Sequence, residues 1–375
     1  MRTTKRILII FTSVMLILLW PEYDYVKTSV PASGESAFAA SALEEGDEEG
    51  EGGDVIDEPV TLPAIKRATA PKNARAAIAM DAVNGDVYCS KNSNTSIPVA
   101  SVSKLMTMWL VLEKIGKGAD PNKKIKINST KIEKLSRSRI CGGYVLRHDK
   151  YFTVNELIWL TMLQSSNAAA TRLGVWVSGS NKAFIAKMNK EAKKLGLNNS
   201  TFSSASGLDN YDLKNFGLVV CGGKSGTNRM SAMDIAKLTR KLLEKHPEIL
   251  KYSSAPSKKV KGKWIINTNR LLTVSSLKNS AKSLKIDGLK TGYTSWAGNC
   301  LATTGKPSKK HRIITVVLND RNCFADTITL MKSVYAKNQE RLADKPIVKP
   351  PVDPGSEDSN AATYINKSGI TLPAG

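Results

Sequence analysis

Apolar and polar positions along these 375 residues fall into blocks that change character at a few points. Residues 7–20 form an uncharged apolar run behind Arg2, Lys5 and Arg6, the charge and hydropathy pattern of a secretory signal. The run is short for a spanning helix. Small-residue cleavage sites follow at Val30-Pro31-Ala32 and Ala37-Phe38-Ala39, so the segment reads either as a cleaved signal or as a retained membrane anchor. Farther on, the apolar stretches 76–81 and 85–88 flank Asn84-Gly85, which predicts a hairpin with a tight turn. Beyond Pro98 an extended segment passes into a long apolar stretch, predicting a helix that starts at Ser101. A second helical pattern covers 154–164, and β-compatible runs occupy 284–300 and 312–318.

Between these blocks lie segments with no core to build. Residues 41–58 are rich in Glu, Asp and Gly and cannot bury enough apolar surface to offset their ordering entropy. The tail carries Pro346, Pro350, Pro351 and Pro354 and reads as extended. The expected organisation is therefore a signal or anchor over 1–30, an acidic disordered linker over 31–70, one folded domain over 71–340 and an extended tail over 341–375.

Charge sharpens this division. The chain carries a formal +22, yet residues 1–58 hold 4 basic and 12 acidic residues, leaving +30 on the remainder. Such a field favours anionic partners. With an export signal and no nucleic-acid motif, anionic wall polymers or membrane lipid fit better than nucleic acid. The five cysteines have no metal-ligand spacing. Cys141 and Cys221 sit in Gly-containing loops as the best disulfide candidates, while Cys89 and Cys300 fall in apolar runs and read as core. No cofactor or metal is expected.

Three short motifs carry the chemistry: Ser101-Val102-Ser103-Lys104, Ser165-Ser166-Asn167 and Lys290-Thr291-Gly292. A serine hydroxyl needs a base to become a nucleophile, and Lys104 follows Ser101 by one helical turn. A lysine can act as that base only if burial or a neighbouring cation lowers its pKa; Lys290 would supply such a field. Ser165 and Asn167, two apart on a turn, would aim into a cleft while Ser166 faces elsewhere. Competing motifs are weaker. Gly222-Gly223-Lys224-Ser225 lacks the register of a phosphate loop, and His148, His246 and His311 stand in no triad motif. His246 reads as a helix C-terminus.

In order and context these are the three signatures of the penicillin-binding proteins and class A β-lactamases. From about 71 to 340 the sequence resembles the serine D-alanyl-D-alanine carboxypeptidases, with further matches at 184–196, 201–202, Ser206-Gly207-Leu208-Asp209, Asn269-Arg270-Leu271-Leu272 and Ala297-Gly298-Asn299-Cys300-Leu301. The resemblance implies an α/β fold: an antiparallel β-sheet flanked by helices, a mostly helical subdomain, and the active site between them. It implies Ser101 as acylated nucleophile, Lys104 as its proton partner and Ser165 as relay to the leaving amine. Asn167 would hold the substrate amide and the lysine. Lys290 and Thr291 would bind the substrate carboxylate, Gly292 would admit the substrate backbone, and the N–H groups of Ser101 and Tyr293 would form the oxyanion hole. Two departures stand out. Ala168-Ala169 follows the second motif where the family commonly has Asp-Ala. Cys323 precedes Phe324 where many relatives place a carboxylate-binding Arg, a role that falls to Arg321.

The implied substrates are peptidoglycan stem peptides, with β-lactam antibiotics as acylating inhibitors, and the implied location is extracytoplasmic, secreted or tethered to the outer face of the cytoplasmic membrane. The β-sandwich domain and C-terminal amphipathic anchor of many relatives are not expected here, so membrane attachment would fall to the N-terminus. A β-lactamase would need a deacylating Glu in an E-x-x-L-N loop between the second and third motifs, and none occurs between Asn167 and Lys290. A noncatalytic penicillin-binding sensor or wall-binding module is the alternative of a different class, separated from an enzyme by its deacylation rate.

Overall fold

The computed structural model describes residues 63–139 and 143–344. The N-terminal apolar run, the acidic stretch, Cys141 and the Pro-containing tail lie outside the described residues, and with Cys141 the expected disulfide. No helix among the described residues is long and apolar enough to cross a membrane.

Five antiparallel strands make the central sheet, in the order Val87–Lys91, Ala76–Asp81, Ile313–Leu318, Gly298–Gly305, Ile286–Thr294. Its middle is buried on both faces, and the period-2 alternation of strands sorts side chains between two cores. Ile78, Met80, Ile314, Val316 and Ala302 enter the larger core, toward helices Lys104–Gly116 and Ala232–Lys245. Ala77, Ala79, Val317 and Leu301 enter the second, under helix Cys323–Lys337. The five apolar residues of the buried run Ile-Ile-Thr-Val-Val-Leu therefore each have a place in one core or the other. The fold is the expected α/β arrangement of an antiparallel sheet flanked by helices.

The helical part gathers around Lys104–Gly116, whose first nine residues are all buried. Helix Val154–Met162 starts at a capping box: Thr153 accepts from Glu156 N, and the Glu156 carboxylate accepts from Thr153 N. Helices Asn167–Ser178 and Asn181–Lys194 follow. Gly174 lets the Phe184 ring pack on its helix; a Cβ there would stand 2.5 Å from that ring.

Two expectations change. The hairpin around Asn84-Gly85 forms, but Met80 pairs with Val87, so its connection spans 82–86 rather than a two-residue turn. Asp81 O accepts from Gly85 N and Asp86 O accepts from Asp81 N, closing a longer arch. The folded body also begins before 71 and runs past 340. Ala68 N donates to Tyr88 O, Lys66 and Asn338 exchange hydrogen bonds, and Arg341 pairs with Asp86. These polar anchors carry no apolar periodicity, which is why the sequence pattern places the edges too far inward. Cys89 and Cys300 are core residues as expected, and Cys323 joins them.

Candidate active site

The segment Ile97–Pro98 pairs with Arg229–Met230 and then tightens into a 3-10 turn, Ala100–Ser103, that runs directly into helix Lys104–Gly116. Ala100 is held at φ 47, in the left-handed region, a conformation that persists where surroundings enforce it. Here Ser103 Oγ donates to Ala100 O at 2.7 Å, and Gly207 packs so close that a Cβ would meet that carbonyl at 2.1 Å. The turn leaves Ser101 half-buried at the surface of the site, with Lys104 fully buried behind it.

Lys104 Nζ is the hub. It lies 2.6 Å from Ser101 Oγ, 2.8 Å from Asn167 Oδ1, 2.6 Å from Ser206 O and 3.4 Å from Ser165 Oγ. As an ammonium it has three N–H donors, one for each of the three nearer oxygens. As a free amine it keeps two donors, enough for Asn167 and Ser206, and turns its lone pair to the Ser101 hydroxyl. The hub is thus suited to exchanging one proton with Ser101.

Ser165 and Asn167 reach the hub because the chain reverses between helices Val154–Met162 and Asn167–Ser178. Ser165 takes φ 58, and Ser166 turns away to cap the second helix, accepting from Ala169 N at 3.2 Å. Ala168 and Ala169 are both wholly buried in the larger core, so the departure from Asp-Ala answers to packing.

The third motif lies on the edge strand Ile286–Thr294. Lys290 is buried and donates to Thr291 O at 3.0 Å. Burial pushes its pKa down to about 7. Thr291 Oγ1 is 2.7 Å from Thr268 Oγ1. At Gly292 a Cβ would stand 2.7 Å from Val99 O and 3.1 Å from Ser101 N, so the chain's own nucleophile turn already requires glycine at this position. Tyr293 is 61% exposed on the same strand. Arg321 lies exposed in the turn between Ile313–Leu318 and helix Cys323–Lys337.

Three site residues escaped the sequence pattern. Ser206 contributes a carbonyl to both Ser101 and Lys104, and backbone acceptors have no residue signature. Thr268 binds Thr291 while its N–H donates to Leu163 O, just ahead of the second motif. Asn228 ties Ser203, Ser204, Val99 and Ser103 together through its amide and its carbonyl. The histidines are elsewhere: His246 caps helix Ala232–Lys245 and meets Glu113 at 2.8 Å, His311 meets Asp81 at 2.5 Å, and His148 meets Asp149. Residues 222–225 lie in a loop that leads into the strand Arg229–Met230 rather than opening a helix.

A family model described as D-alanyl-D-alanine carboxypeptidase matches residues 64–322. The D-alanyl-D-alanine carboxypeptidase DacF of Bacillus subtilis is 31% identical over 250 residues, covering 65% of this chain and 57% of that protein. DacC of Escherichia coli is 30% identical over 289 residues, covering 73% and 64%. The match therefore spans less than two thirds of these curated relatives. Among solved structures, penicillin-binding protein D2 from Listeria monocytogenes in its cefotaxime-bound form is 29% identical, with a TM-score of 0.59 over 72% of this chain and all of that one. The peptidoglycan synthesis regulatory factor PBP3 from Streptococcus pneumoniae is also 29% identical, with a TM-score of 0.64 over 70% and 74%.

Proposed function

Because this chain belongs to the D-alanyl-D-alanine carboxypeptidase family, we propose that it removes the C-terminal D-alanine from peptidoglycan stem peptides through an acyl-enzyme on Ser101, outside the cytoplasm. The observation that carries the reading is the Lys104 amine, buried and 2.6 Å from the Ser101 hydroxyl.

In the proposed reaction Ser101 Oγ attacks the carbonyl of the penultimate residue while its proton passes to Lys104 Nζ. The new C–O bond places negative charge on the former carbonyl oxygen, which the N–H groups of Ser101 and Tyr293 are suited to receive. Collapse breaks the C–N bond, and the proton returns through Ser165 to the departing D-alanine amine. Water then attacks the ester, giving its proton to Lys104, which passes it to Ser101 Oγ as the acyl C–O bond breaks, so that the free hydroxyl and amine are both regenerated. Lys290, when protonated, and Thr291 would hold the terminal carboxylate, and Asn167 both the hub and the substrate amide. β-Lactams would acylate Ser101 by the same first step. The positive field of the domain suits anionic wall polymers or lipid as neighbours.

The test is release of D-alanine from a peptide ending in D-Ala-D-Ala by the purified chain. Turnover supports the hydrolase. A stable acyl adduct with no turnover would make the protein a sensor instead.

A further inference from the structure

The hairpin ahead of the third motif, Ser257–Val260 paired with Lys263–Ile266, turns apolar residues both ways. Val260 and Ile265 are buried and belong to the larger core. Trp264 and Ile266, on the opposite face by the period-2 rule, are 66% and 59% exposed. The register sets Lys259 opposite Trp264 and Ser257 opposite Ile266, so the outward face carries an indole, a branched aliphatic, an ammonium and a hydroxyl. Lysines on an exposed hairpin commonly guard it against pairing with other strands. That device does not call for two large apolar groups in water beside them.

The face is held in one orientation. Asn267 N donates to Pro256 O at 2.8 Å, and its Nδ2 donates to Ser253 O and Ala255 O, both at 2.9 Å. Lys258 Nζ stands 5.3 Å over the Trp159 ring. Past the hairpin the alternation continues, with Asn267 and Asn269 buried and Thr268 exposed, so the outward face runs on to the hydroxyl that meets Thr291. At about 3.3 Å per residue, Ile266 is roughly 7 Å from Thr268 along the chain and Trp264 roughly 13 Å.

Charge says what such a face would meet. From 249 to 286 the sequence has nine basic residues and no acidic one. Lys258, Lys259, Lys261 and Lys263 are all exposed. Glu156 lies 3.8 Å from Lys261; among the described residues the other three form no ion pair. An apolar patch with ammoniums around it matches a surface that is anionic at its face and apolar just beneath, and an indole suits that boundary. A sugar platform would want carboxylates or amides beside the ring to bind hydroxyls, and this face has none.

We propose that the outward face of this hairpin docks on an anionic phospholipid surface. The Trp264 indole and the Ile266 side chain enter the boundary between headgroups and acyl chains, and the lysines lie among the lipid phosphates. Docked so, the strand that leads to Thr268 holds the Thr291 side of the site close to the lipid. The docking does not depend on the reaction proposed above.

The experiment mixes the full chain with phosphatidylglycerol vesicles whose acyl chains are brominated, because bromine quenches an indole only on contact. The chain has six tryptophans, so the part due to Trp264 is the difference in quenching between the protein and Trp264→Phe, which keeps an apolar ring. That difference is expected to approach the emission of one exposed tryptophan on phosphatidylglycerol and to vanish on brominated phosphatidylcholine. The double change Lys259→Gln and Lys263→Gln should weaken the seating about thirtyfold, at about fivefold for each lysine near an anionic surface. No difference between the protein and Trp264→Phe on phosphatidylglycerol would overturn the docking. An equal difference on both lipids, or one that the lysine changes leave alone, would overturn its anionic character. Trp264 emission that responds to an N-acetylglucosamine tetramer and not to vesicles would make the face a sugar platform instead.

Discussion

At the scale of single residues, the two serines of the first motif have separate tasks. Ser101 faces the Lys104 amine, whereas Ser103 is buried, donates to Ala100 O and accepts from Asn228 Nδ2 at 2.8 Å. Ser101→Ala should abolish the covalent β-lactam adduct seen by intact-protein mass spectrometry. Ser103→Ala should still be labelled but lose about 1–2 kcal/mol in urea unfolding, because Asn228 and the Ala100 carbonyl lose a buried partner. Lys290 makes a pH prediction. Burial lowers its pKa to about 7, so in the free enzyme its charge fades as pH rises through that value, and with it the pull on an anionic substrate. The alkaline limb of kcat/KM, which reports the free enzyme, should fall near pH 7. A bound carboxylate favours the ammonium, so the limb in kcat should lie higher. The sign for stability is opposite to that for binding. Above pH 7 the unfolded lysine holds a proton that the folded one has released, so this residue's contribution rises with pH until an ordinary lysine titrates. A kcat/KM limb in the same place for Lys290→Arg, which cannot lose its charge, would assign the limb to another group.

Between elements, the third-motif strand and the nucleophile turn are pressed together at Gly292, and that contact makes a sharp prediction. An alanine Cβ would sit 2.7 Å from Val99 O, which backbone on both sides cannot easily relieve. Gly292→Ala should cost about 1–3 kcal/mol of stability and slow β-lactam acylation, since the displaced atoms include Ser101 N. Acylation at the normal rate would show that the strand moves without the turn. Thr268 supports the same strand from its other side. Thr268→Val keeps the shape but removes the hydroxyl that Thr291 meets at 2.7 Å. The preference for peptides ending in a free carboxylate over their amides should shrink roughly three- to tenfold, the effect of one hydrogen bond. An unchanged acid-to-amide ratio would leave Thr268 a purely structural residue. This is also the scale at which the sequence is least readable. Helix Lys104–Gly116 and strand Ile313–Leu318 announce themselves through long apolar runs. The two-residue pairing of Ile97–Pro98 with Arg229–Met230, which steers the nucleophile into place, has no periodicity to detect. The side chains of the three motifs were legible because their chemistry demands particular residue types. Ser206 O, Thr268 and Asn228 act through a carbonyl or through common polar groups that many positions share.

Across the whole molecule, the beginning and end of the folded body clasp one another along one edge of the sheet. Lys66 N donates to Asn338 Oδ1 and Asn338 Nδ2 to Lys66 O, both at 2.9 Å. Lys337 Nζ donates to Arg67 O at 3.1 Å, and Arg341 joins Asp86, in the first hairpin, to Pro63 O. Leu342 is buried in the second core beside these bonds. All of this lies far along the sheet from the third-motif strand, since Val87–Lys91 and Ile286–Thr294 are its opposite edges. A fragment cut at 71 and 340 discards the clasp, taking Arg341 from Asp86 and Lys66 from Asn338, while one cut at 63 and 344 keeps it. Each bond is worth about 1 kcal/mol and the Leu342 side chain about 2, partly offset by the entropy of ordering the two ends, so the shorter fragment should be roughly 3–6 kcal/mol less stable. For a domain of this size that amounts to a Tm lower by on the order of 10 °C. Well below its own Tm, however, the shorter fragment should be acylated by a β-lactam at nearly the rate of the longer one, because Ser101, Lys104 and the edge strand keep every contact described. Equal melting temperatures would show that the clasp adds nothing to the fold. A large loss of acylation at low temperature would show instead that the far edge of the sheet is coupled to the nucleophile turn.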